Sequence, residues 1–200
     1  MYRDTILKIF EDIWPMLLIC FIIIASMRIV YLIKYKKTFI FYKEILSLGF
    51  IVYIICLFHV VTFQDVSWST SNFIPFTEMF RYEFGSKLFY RNVIGNMIMF
   101  IPYGFFTSYF LKLKKPLTIF LLTFLVSITI EFIQLRIGRV FDIDDILLNI
   151  VGGLLGFIIF YAINKIKDKF IILQKSFIYN IIMIVILGII ILYLSGVFYV

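Results

Sequence analysis

The chain has 200 residues, 63% of them hydrophobic, with 25 phenylalanines and a formal net charge of +7. That is more apolar surface than a soluble core of this length can bury, so the composition excludes a water-soluble domain and indicates an integral membrane protein. The lysines fall in short clusters between apolar runs rather than on one amphipathic face, which excludes nucleic acid as the expected partner and reads as a topology signal.

Residues 1–13 are polar and mixed in charge, and residues 14–33 form the first apolar run long enough to cross a bilayer. A cleaved signal peptide would need a shorter apolar region and a small-residue cleavage site, so the span is expected in the mature protein. Pro15 fits a first-turn position, and Arg28, late in the span, is placed to snorkel toward the lysines beyond it. Further spans are predicted over 45–63, 92–111, 116–135, 144–162 and 177–199, with Pro102 inside the third, where it should kink the helix. The expected fold is all-α, a polytopic transmembrane helix bundle of about six spans forming a single integral membrane domain over 1–200. Cys20 and Cys56 sit among apolar neighbours and read as filler, with neither a disulfide nor a metal site expected. The single histidine, His59, near a span end, reads as an interfacial or packed imidazole.

Orientation follows from the connections. Lys34, Lys36, Lys37 and Lys43, then Lys112, Lys114 and Lys115, then Lys165, Lys167, Lys169 and Lys175 occupy alternate connections, against only Glu44 and Asp168. The positive-inside bias therefore predicts a multi-pass plasma-membrane protein with both termini and the long 64–90 connection outside. In that connection Asn72-Phe73-Ile74-Pro75-Phe76 is too apolar for a free loop and is expected to dip back or lie in the interface, leaving open whether 64–90 forms a lid.

Polar residues then meet at the outer ends of spans three to five. Asn92 and Asn96 share a helix face, as do Glu131 and Gln134, while Asp142, Asp145 and Asn149 step by three and four along the fifth helix. Together they would line one external cleft, with Arg91 and Arg139 placed to pair the carboxylates. Each also has a structural reading: Asp142 and Asp145 as a helix cap and first-turn acid, Asn92 as a cap, Gly152 and Gly156 as packing positions. Glu131 resists that treatment, because a carboxylate one turn inside an apolar helix must pair, protonate or meet water. Arg139 reads equally as a counter-ion and as an anion-binding group.

The ordered set Asn72-Phe-Ile-Pro75-Phe76, Asn92-x-x-Gly95-Asn96-x-x-x-Phe100-x-Pro102-x-Gly104, Glu131-x-x-Gln134 and Gly138-Arg139-x-Phe-Asp142-x-x-Asp145-x-x-x-Asn149-x-x-Gly152 closely resembles the VanZ-like family. The resemblance covers a core over 45–163, with 14–34 and 176–199 as flanking spans. It implies a bacterial membrane protein related to one that gives low-level resistance to teicoplanin, a lipid-tailed glycopeptide. Its expected partners are membrane lipids and a lipid-linked cell-wall precursor or the lipoglycopeptide itself.

Three function classes stay open. In the first, an outer-leaflet cleft holding Arg91, Asn92, Asn96, Gln134, Arg139 and Asn149 as binding groups lowers susceptibility to teicoplanin. The second is an intramembrane enzyme on a lipid or lipid-linked substrate, with Glu131, Asp142 and Asp145 as catalytic groups and Arg139 or Arg91 holding a phosphate. Acid and amide side chains would also suit Mg²⁺ or Ca²⁺, although no dedicated metal motif is present. The third is a transporter or scaffold; clustering of the polar groups at one face, without repeated halves, disfavours the transporter.

Overall fold

The structure, a computed structural model, describes residues 2–63, 71–170 and 175–195. Six helices are long and apolar enough to cross a membrane: α1 (Tyr2–Lys34), α2 (Phe41–Phe63), α3 (Lys87–Leu111), α4 (Pro116–Arg136), α5 (Ile143–Lys169) and α6 (Ser176–Ser195). The expected all-α, six-span architecture is therefore present, and the described residues contain no β-strand, only an isolated parallel bridge between Asn72 and Asp142. Residues 64–70, within the connection considered as a lid, and 196–199, at the end of the predicted sixth span, lie outside the described residues.

Two helix starts differ from expectation. α1 begins at Tyr2, so Pro15 lies in the helix interior rather than its first turn. Residues 2–13 hold no glycine or proline to stop the helix, and Ile6, Ile9, Phe10 and Ile13 recur at helical spacing. α3 begins at Lys87 and is capped by Ser86, whose hydroxyl accepts the Phe89 N–H at 3.1 Å. Asn92 is thus not a cap; it lies in a π-helical turn, Tyr90–Ile94, one turn into α3.

The chain divides into two compact units, residues 1–59 with 167–200, and residues 60–166. In the first, Arg28 does not snorkel toward the lysines. It makes two bonds of 2.8 Å to Glu44, because a carboxylate in the first turn of α2 offers a bidentate partner. His59 lies 3.7 Å from Asp12 in the same unit.

The second unit holds α3, α4 and most of α5. Lys112, at φ 52°, closes α3 by donating its N–H to Ser108, and Pro116 opens α4 at a position that needs no donor. Glycines let α3 and α5 approach backbone to backbone: a Cβ on Gly104 would overlap the Gly153 carbonyl, and one on Gly152 would overlap that of Met97. Phe100, against Gly152, and Ile119 of α4 are fully buried, while Leu117, Leu121, Phe124 and Leu125 of α4 face outward.

Candidate functional site

α4 is inside out relative to a helix of a soluble protein. Its buried face carries Thr123, Ser127, Glu131 and Gln134, in steps of four, four and three, whereas its exposed face is leucine and phenylalanine. In a bilayer this arrangement hides polar groups from hydrocarbon. On α5, Asn149 donates to Ser127 Oγ at 2.8 Å, and one turn further Gly153 lies against Thr123. The two helices therefore run antiparallel with their polar faces in register.

At the end of this seam Glu131 is 1% exposed and both its oxygens have partners. Oε2 accepts the Asp142 N–H at 2.9 Å. Gln134 donates its amide nitrogen to Oε1 at 3.0 Å, and its amide oxygen accepts from Arg139 Nη1 at 2.9 Å. The opposite amide orientation would set oxygen against carboxylate and nitrogen against guanidinium. Arg139 Nη1 also donates to the Val61 carbonyl at 3.0 Å, satisfying one of the acceptors left open at the end of α2. The guanidinium thus reaches Glu131 through Gln134 while also bonding the Val61 backbone.

α5 starts beside this group. Asp142 caps it, its Oδ1 accepting the Asp144 N–H at 2.9 Å and the Asn72 amide at 3.0 Å. Burial pushes the Asp142 carboxyl above the usual aspartate range, and the same two hydrogen bonds pull the other way. Asp145, in the first turn, accepts from the Asn96 side chain of α3. Backbone bonds from Asn72 N–H to Phe141 (2.8 Å) and from Ile143 N–H to Asn72 (3.1 Å) hold the Asn72 strap against this corner.

Asp144 is the residue that sequence reasoning passed over. It is 1% exposed and accepts the backbone N–H groups of Phe76, Glu78 and Met79 at 2.5, 2.8 and 3.0 Å. One carboxylate therefore fastens the 76–79 turn to the head of α5. The signal was present as an acid in the first turn of a helix, but the partner segment lies about 65 residues upstream and nothing local specifies it. Asp144→Asn would leave at least one of the three N–H groups facing an amide NH₂. Its expected effect is a loss of about 2–3 kcal/mol of local stability, read as faster hydrogen exchange at Phe76, Glu78 and Met79. Unchanged exchange at those amides would remove Asp144 from this role.

The structure thus brings Glu131, Gln134, Arg139, Asp142, Asp145 and Asn96 together, with Asn149 two turns along the same seam. Arg91 is exposed and Asn92 half-buried in the π turn, and among the described residues neither joins the network. Among the described residues the result is a corner in which carboxylates, amides and a guanidinium from several elements are joined by hydrogen bonds. Among the described residues no three histidine, cysteine, aspartate or glutamate side chains are arranged to hold a metal ion.

The sequence profile of the VanZ/LLP1 family matches residues 48–164. The chain belongs to this family. A curated relative, Protein VanZ of Enterococcus faecium, is 37% identical over 78 residues, covering 38% of this chain. The match spans about half, 48%, of that relative's length. No solved structure matches. The family segment contains the whole hydrogen-bonded corner, from the Asn72 strap to Asn149, and four of the six apolar helices lie largely within it. This is a multi-pass membrane protein of the VanZ/LLP1 family.

Proposed function

We propose that this protein lowers the susceptibility of a bacterial cell to teicoplanin-type lipoglycopeptides, acting at the outer leaflet through the corner built on Glu131, Asp142, Asp144 and Asp145. The observation that carries this reading is the coincidence of the family segment, 48–164, with that corner. The lysine asymmetry supports an orientation with both termini and the 71–86 connection outside. In that orientation the corner sits where a drug anchored by an acyl tail, or a lipid-linked wall precursor, meets the membrane. Phe73, Ile74, Phe76 and Phe80 project from the strap with 54–80% of their surface exposed, offering apolar contact at that level.

A scaffold reading also has an observation in its favour: both Glu131 oxygens are already bonded, which suits a group that shapes the corner better than one that transfers protons to a substrate. On either reading Glu131 acts by holding the strap and helix ends in place.

The test is expression in a glycopeptide-sensitive Gram-positive host, compared with empty vector. A selective rise in tolerance to teicoplanin, with vancomycin unchanged, is expected; equal susceptibility with the protein present in the membrane would reject the reading. Orientation is checked separately. A membrane-impermeant maleimide should label Phe84→Cys in intact cells, and labelling only after lysis would reverse the topology.

A further inference from the structure

A second constellation belongs to the first compact unit, where α2 and α6 begin and α5 ends. The rings of Tyr42 and Tyr179 lie 5.2 Å apart, and Asn180 Oδ1 accepts the Tyr42 N–H at 3.0 Å, tying the two helix starts together. Lys43 Nζ sits 5.9 Å from the Tyr42 ring centre, and Lys167 Nζ 5.5 Å from that of Tyr179. Two ammonium groups therefore flank one tyrosine pair, each over a ring whose quadrupole attracts it. All of these residues belong to the first compact unit.

The nearby acids leave the cluster positive. Glu44 is taken up by both Arg28 bonds, and Asp168 is next to Lys167 in sequence, so among the described residues of these helix ends one uncommitted acid stands against Lys43 and Lys167. Because successive spans alternate in direction, the start of α2, the end of α5 and the start of α6 lie at the same boundary of the bilayer. Phosphate headgroups occupy that level in either leaflet.

We propose that Lys43 and Lys167, flanking the Tyr42–Tyr179 pair, bind the phosphate of an anionic phospholipid headgroup. The ammonium groups supply charge and donors, the tyrosine rings hold them in position, and the lipid's acyl chains lie along the apolar flanks of α2 and α6. The site is independent of the Glu131 corner and does not depend on which face is cytoplasmic.

The test uses the full chain purified in a neutral detergent at low salt and titrated with dioctanoyl phosphatidylglycerol, dioctanoyl phosphatidylcholine and inorganic phosphate. Phosphatidylglycerol is expected to bind most tightly. The Lys43→Gln/Lys167→Gln variant should weaken it by about 25-fold, about fivefold per lysine, while Lys36→Gln/Lys37→Gln, which removes equal charge from the neighbouring turn, should leave it unchanged. Equal weakening by both pairs would mean a diffuse basic collar, and equal binding of inorganic phosphate a free-anion site. Indifference of the wild type between the two lipids would end the proposal without reference to any variant.

Discussion

Glu131→Gln is expected to destabilise the protein by about 1–3 kcal/mol, and Gln134→Glu placed on top of it to recover most of that loss. In the wild type the two Glu131 oxygens face two donors, Asp142 N–H and the Gln134 amide, and Gln134 passes its own oxygen to Arg139. A glutamine at 131 has one oxygen and one NH₂, so one of those donors loses its acceptor. Turning Gln134 to compensate puts its NH₂ against the Arg139 guanidinium, which moves the conflict without removing it. With the acid at 134 instead, the amide at 131 accepts from Asp142 and donates to the carboxylate, which still accepts from Arg139. Every donor is again matched. Gln134→Glu alone should be worse than the pair, since it sets two carboxylates side by side in a buried place. Unfolding of the four forms in detergent measures the coupling; additive losses would mean that these residues do not act as one chain of bonds.

The largest structural effect is expected from the glycines. Gly104→Leu should remove most of the folded protein, a loss above about 4 kcal/mol, because even its Cβ would overlap the Gly153 carbonyl, and backbone cannot step aside as a flexible side chain can. Gly188→Leu in α6, where nothing lies within 4 Å of the added atom, should fold as well as the wild type. Size-exclusion chromatography of the two variants in matched detergent separates these outcomes. A monodisperse Gly104→Leu protein would show that α3 and α5 do not pack as closely as described.

The spans were legible because hydropathy is a local property and lipid rewards it along the whole helix. Their ends were less so: α1 extends through the polar residues 2–13, where hydropathy sees no span but helix geometry meets no obstacle. In the site, helical spacing put Glu131 with Gln134, and the position of Asp142 at a helix start offered a cap beside its candidate site role, since those relations lie within a few residues. The same reasoning paired Arg91 with the carboxylates and overlooked Asp144, because both depend on where a distant segment returns. A helix wheel sets Asp144 off the Asp142–Asp145 face, and only the strap carrying Phe76, Glu78 and Met79 gives it a partner. Thr123 and Ser127 were a missed local signal. Their four-residue steps to Glu131 mark the buried stripe of α4 as plainly as an apolar stripe would in a soluble helix.

The most direct measurement is teicoplanin tolerance in the sensitive host expressing wild type, Glu131→Gln, or Glu131→Gln with Gln134→Glu, at membrane levels matched by immunoblot. Selective tolerance with the wild type, its loss in the single variant and its return in the double variant are the expected results. Full tolerance with Glu131→Gln at matched levels would contradict a role for this corner in the protein's function.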